Sequence, residues 1–269
     1  MLALTKSMFK DKYKSFIAYI LGSAVFLEMY IALFPSFSKQ SEQLSQMMEA
    51  FPPEFFKAFN IDPGSMTFGS LEPYLSSEYM SFLLPILVII FAISLANYIS
   101  VKEVESGTVE VAASLPVSRN KIFLERYFTG VIMLLVFSFA SIFMAIPLAK
   151  IHGVDFVTQN YLTASIGSFF LAWAIYSLSL LFSTFLSDKG RATAIASGVL
   201  LMMYVLNIVA SLKDELSNLQ YISFFHYFNG SELLAKNTFP EYSLLVLGGF
   251  SIVALVVSLL WYNRRDLAV

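Results

Sequence analysis

YMSFLLPILVIIFAISLANYIS, residues 79–100, runs for twenty-two positions without a Lys or Arg. A helix needs about 20 mostly apolar residues to cross a hydrocarbon core of roughly 30 Å, so this stretch reads as a membrane span. Working outward, five more segments pass the same test: 15–34, interrupted only by Glu28, then 127–149, 156–187, 192–212 and 242–263. Segment 156–187 is long enough to tilt or to carry an interfacial end. Segment 15–34 does not read as a cleaved signal peptide, because its apolar run is long and no small-x-small site follows it.

The whole composition agrees. Of 269 residues 57% are hydrophobic and only 13% charged, with a mean hydropathy of +0.70. Ordinary soluble domains carry about 25% charged residues, so too few are present to cover a soluble globule. Disorder is excluded as well, because 27 Phe and 14 Tyr would collapse. The net charge of −2 gives no basic footprint for nucleic acid. The absence of Cys removes disulfides, thiolate metal sites and Cys nucleophiles. The two histidines, His152 and His226, lie too far apart in sequence for a local metal motif.

Lys and Arg set the expected orientation. Lys6, Lys10, Lys12, Lys14, Lys102, Arg119, Lys121, Arg126, Lys189, Arg191, Arg264 and Arg265 fall on one side, twelve of the seventeen basic residues. Both termini are therefore expected to be cytoplasmic. Residues 1–14, where Leu2, Leu4, Met8 and Phe9 interleave with four lysines, predict an amphipathic interfacial helix on the inner leaflet. The outer loop 35–78 predicts a structured segment, since Phe51, Phe55, Phe56 and Phe59 recur at helical spacing before an Asp62-Pro63-Gly64 stop. The stretch Tyr221–Phe228 is too aromatic for free solvent and too short to span, which predicts a re-entrant or interfacial segment before the sixth span.

The inner loop 101–126 is the most informative part. Val101, Val104, Thr108, Val111 and Leu115 mark one face of a helix, and Glu103, Gly107 and Glu110 another. Pro116 ends that helix, and Ser118 is a plausible N-cap for one starting at Arg119.

The run Lys102-Glu103-Val104-Glu105-Ser106-Gly107-Thr108-Val109-Glu110, followed by Leu115-Pro116-Val117-Ser118-Arg119, resembles the first cytoplasmic loop of ABC-2-type transporter permeases. Those carry an E-x-G-T-x-E element and then a hydrophobic-Pro-x-Ser-Arg element between spans two and three. The stretch 220–234 is similar to the family's aromatic Y-x-S-P-F-x-Y-F segment, with Phe224 where proline is common. The resemblance implies a single transmembrane domain, 1–269, whose loop 101–126 holds a coupling helix that docks on a separate ATPase. Glu103, Glu105, Gly107, Thr108, Glu110, Pro116, Ser118 and Arg119 would be the ATPase-coupling residues. The implied partners are ABC ATPase (nucleotide-binding) subunits and a second permease chain, as homodimer or heterodimer, in the lipid bilayer. The chain itself carries no phosphate-binding G-x-x-x-x-G-K-[ST] loop. No cofactor is therefore expected on it, and ATP with Mg2+ would sit in the partner. The expected cargo is an amphipathic or lipophilic compound moved outward, and the expected location is the plasma membrane of a prokaryote.

Within the spans, Glu28 is the one deep ionisable residue, with a substrate or proton role set against a plain bond to a neighbouring helix. Trp173, Tyr176, Tyr204 and Asn207 are candidates for a substrate path, set against ordinary packing. Gly190, Ala194 and Gly198, spaced by four, predict close helix packing within or between subunits. Two rival classes fare worse. An intramembrane serine protease needs a mid-span His beside a Ser nucleophile, and no G-x-S-x-G is present. An ATP-independent secondary carrier needs polar residues near the midplane, where only Glu28, Asn97 and Asn207 qualify.

Overall fold

The computed structural model describes residues 2–39, 69–100, 118–186, 188–212 and 214–264. Among these the fold is all helix, and six helical stretches are long and apolar enough to cross a membrane. Helix α1 is Leu2–Lys39. Helix α2, Leu71–Leu75, runs through a π-helical segment, Ser76–Leu83, into α3, Leu84–Ser100. Then come α4, Arg119–Phe143, and the short α5, Ala145–Ile151. Helix α6 is Thr158–Phe185 and α7 is Lys189–Leu212. A 3-10 segment, Asp214–Ile222, and a π turn, Ser231–Ala235, precede α8, Ser243–Arg264.

The first helix departs from the expected division. Residues 2–14 form no element of their own, because α1 is continuous through them into the span. No Pro or Gly occurs before Gly22, so no helix breaker stops the helix at Lys14. The second helical stretch begins at Leu71, in what the sequence reads as outer loop. The aromatic run 51–59 and the loop 101–117 lie outside the described residues.

Breaks in the helices have identifiable causes. Pro147 has no N–H to give Phe143, and the helix is interrupted at Met144 between α4 and α5. The carbonyl of Ser141, just ahead of the interruption, accepts from the hydroxyl of Tyr79 at 3.0 Å and from that of Ser23 at 3.4 Å. The π-helical segment is served by its own serines. Ser76 Oγ donates to the Glu72 carbonyl, Ser77 Oγ to those of Pro73 and Tyr74, and Ser81 Oγ to that of Ser76.

Helix α6 is the central element, with 67% of its span buried against 22% for α1 and for α7. Small residues make that position tenable: Ala164, Ser165, Gly167, Ser168, Ala172 and Ala174 are all buried. A Cβ on Gly167 would meet the side chain of Leu233 at 2.6 Å, so the π turn Ser231–Ala235 rests directly on the α6 backbone. The aromatic segment expected to fold back on the bundle buries Phe224, Phe225 and Phe228, while Tyr221 stays exposed. Between Tyr221 and Tyr227 sits the ring of His226, 5.1 and 4.9 Å away, and burial lowers its pKa. Gly130 of α4 serves the same end as Gly167, because a Cβ there would overlap the Tyr176 hydroxyl. Tyr176 has no room to move: it is fully buried and stacked on Tyr127 at 5.3 Å. Gly130→Ala is therefore expected to destabilise the bundle by about 1–3 kcal/mol through overpacking, read as a lower midpoint of thermal unfolding in detergent.

Candidate functional site

The end of α3 and the start of α4 frame the loop 101–117, so this loop end of the bundle is where the sequence places function. One buried tyrosine organises it. Tyr98, 7% exposed, gives its hydroxyl to Asp11 Oδ2 of α1 at 2.6 Å. The ammonium of Lys12 lies 5.7 Å from its ring centroid, and the guanidinium of Arg126 lies equally close. Lys12 Nζ also donates to the carbonyl and hydroxyl of Ser94, each at 3.0 Å. Arg126, itself buried, reaches the carbonyl of Ile99 at 3.4 Å. Both roots of the loop, Ile99 on one side and Arg126 on the other, are thus tied to each other and to α1. Asn97 Nδ2 extends the set to α7 by donating to Thr193 Oγ1 at 2.8 Å.

The expected loop residues fall as follows. Glu103, Glu105, Gly107, Thr108, Glu110 and Pro116 lie outside the described residues. Ser118 has the extended backbone of an N-cap, and its carbonyl accepts from Lys121 and Ile122. Its hydroxyl makes no capping bond, however, and the side chain stands exposed at the surface. Arg119 is the first residue of α4 and is exposed.

The candidate path residues are distributed over three places. Glu28 is at the far end of the bundle, where its Oε1 lies 2.8 Å from His152 Nε2, while its Oε2 is buried without a hydrogen-bond partner. Sequence reading missed this partner. His152 is delivered by a Schellman turn: Gly153, at φ 65°, gives its N–H to Lys150, and Val154 gives its own to Ala149. Trp173 and Tyr176 meet at Tyr127, whose hydroxyl accepts from Trp173 Nε1 at 2.7 Å and lies 3.0 Å from Ser177 Oγ. That cluster closes the interior between α4 and α6. Tyr204 packs edge-on against Phe225 at 5.2 Å, and Asn207 lies buried one turn along α7. Among the described residues no hydrogen bond or ring contact joins these three groups.

The small-residue stripe of α7 faces away from its own bundle. Gly190, Ala194 and Gly198 are exposed, and a Cβ on Gly198 would meet nothing within 4 Å.

Six apolar helices with a polar clasp around one inter-helix loop define a multi-pass membrane protein. The chain belongs to the ABC-2 family transporter proteins, whose sequence profile it matches over residues 2–267. It is thus a permease-type transmembrane component, in a family that is normally not itself catalytic and usually pairs with an ATPase. A search of individual curated proteins finds no match.

The clasp makes a direct demand on stability. Tyr98→Phe removes one hydrogen bond to a carboxylate and is expected to cost about 2 kcal/mol. Tyr98→Ala also removes the ring between two cations and leaves a cavity, with an expected cost of about 3 kcal/mol. Thermal unfolding of the two purified variants checks the order.

Proposed function

We propose that the chain is the permease subunit of an ATP-driven exporter of an amphipathic or lipophilic compound, driven by a separate ATPase through the loop 101–119. The observation that carries the reading is the clasp around Tyr98. A loop that only joined two spans would need no buried Arg and no tie to a third helix. Here Arg126, Tyr98, Asp11 and Lys12 make the loop's two roots and α1 one mechanical unit. Force on the loop then reaches the bundle as a rigid-body shift rather than as local bending.

The acidic face at Glu103, Glu105 and Glu110 suits basic groups on a partner, and Gly107 between them suits close backbone approach. ATP and Mg2+ belong to that partner. The exposed stripe at Gly190, Ala194 and Gly198 supports pairing with a second permease chain, since small residues let helices approach closely. The assembly would lie in the plasma membrane of a prokaryote, with both termini inside.

The test is reconstitution with the ATPase that co-purifies with the chain. Gly107→Trp should abolish permease-stimulated ATP hydrolysis while the variant keeps its thermal unfolding midpoint. Wild-type stimulation in that variant would overturn coupling through this loop, and the absence of any co-purifying ATPase would overturn the ATP-driven reading.

A further inference from the structure

At the end of the bundle opposite the clasp, a cleft of about 440 Å³ opens between the C-terminal part of α1, the start of α2 and the turn 152–157. Its walls include Phe34, Leu71, Glu72, His152, Asp155 and Phe156. The unusual member is Glu72. Its side chain is only 6% exposed, and its Oε1 accepts one hydrogen bond, from the backbone N–H of Val157 at 2.7 Å. An ionised carboxylate has room for about four such bonds. Among the described residues no Lys, Arg or His pairs with Glu72, and a buried carboxylate without a counter-charge is costly.

The nearby cations are otherwise placed. Lys150 has its ammonium 5.8 Å from the centroid of the Phe156 ring. His152 is engaged with Glu28, and Lys39 lies exposed at the end of α1. Asp155, exposed at the rim, adds a second negative charge to the cleft. Behind the wall, Tyr161 meets Phe156 edge-on at 6.3 Å and is fully buried, with a hydroxyl that has no partner.

We propose that this cleft binds an organic ammonium cation, with Glu72 as its counter-ion. A bare metal ion does not suit it: no three His, Cys, Asp or Glu side chains converge among the described residues, and the volume is that of a small-molecule pocket. The apolar part of the lining, Phe34, Leu71 and Phe156, suits the hydrocarbon stem of such a cation. The Phe156 ring lies within reach of the Lys150 ammonium, the kind of contact a ligand cation makes with an aromatic wall. The binding reading is independent of ATP coupling. That the cation is cargo, rather than the ethanolamine head group of a lipid, would rest on the export reading above.

The chain purified in dodecyl maltoside is titrated with phenethylammonium by calorimetry, and 3-phenylpropanol serves as the neutral control. One saturable site is expected for the amine and none for the alcohol. Glu72→Gln keeps an oxygen for the Val157 N–H, so the variant should fold, and it should weaken the amine at least tenfold. Phe156→Leu should weaken it about threefold, and it serves as the test if the first variant unfolds. Doping the micelles with phosphatidylethanolamine identifies the source. Competition makes the lipid head group the occupant, whereas no competition leaves a soluble amphiphilic cation, and either result supports the site. Equal binding of amine and alcohol, or unchanged affinity in both variants, overturns it. No ATPase enters the assay, so this failure is distinct from failure of the coupling reading.

Discussion

Hydrocarbon offers no hydrogen bonds, so every backbone N–H and C=O in a span must find its partner within the protein. The rest of this structure follows from that constraint. It allows only helices across the apolar windows, and it sets terms for every departure from helical geometry. Pro147 removes one donor and the helix breaks at Met144. The Ser141 carbonyl beside that break is served by Tyr79 and Ser23, which belong to other elements. Service to that carbonyl therefore ties α4 to α1 and to the π-helical segment. At Ser76–Leu83 the supply is local, with three serines returning their hydroxyls to the backbone. Ser76 also donates to the Gly230 carbonyl at 3.0 Å, so the widened helix becomes the seat of the segment before α8.

The same constraint fixes where charge goes. A guanidinium or ammonium near a span must be held by carbonyls, carboxylates or ring faces, and Tyr98 brings all three within reach of Arg126 and Lys12. Polar groups thus concentrate at the helix ends. The interior holds many short hydroxyls returned to their own helix, as Ser165, Ser179 and Ser251 are, beside the paired Tyr127, Trp173 and Ser177. Small side chains then let α6 sit against its neighbours, where packing rather than hydrophobicity holds spans together.

Reading the sequence recovers what composition encodes. Six apolar windows appear as six helices, and the match over residues 2–267 agrees with the resemblance carried by Glu105–Glu110 and Leu115–Arg119. It does not recover what depends on partners far along the chain. Tyr98 and Asp11 are 87 residues apart, and Glu28 and His152 are 124 apart. No periodicity announces either pair. Tyr98 and Arg126 looked like the ordinary ends of two spans. Glu28 was visible as an ionisable residue in an apolar run, but its partner stood in a turn set by Gly153. The π-helical segment is equally hidden, because Ser76 and Ser77 resemble loop composition and Ser81 is an ordinary small residue at the start of a span.

Helix α1 joins the two polar ends. It carries Asp11 and Lys12 in the clasp at the loop end and Glu28 and Phe34 at the other, in one stretch of 38 residues. At 1.5 Å per residue that is a rod of about 57 Å, longer than the hydrocarbon core it crosses. Much of its span is exposed, while Ser23, Leu27 and Ile31 are buried against the bundle. Polar ties hold it near both ends, and Ser23 holds it at mid-length through Tyr79 and the Ser141 carbonyl. On the coupling reading, a push on the loop moves α1 through Asp11 and Lys12, and the movement arrives at the wall of the Glu72 cleft. On that reading, one continuous helix links the clasp, where force would enter, to the cleft at the opposite end of the bundle.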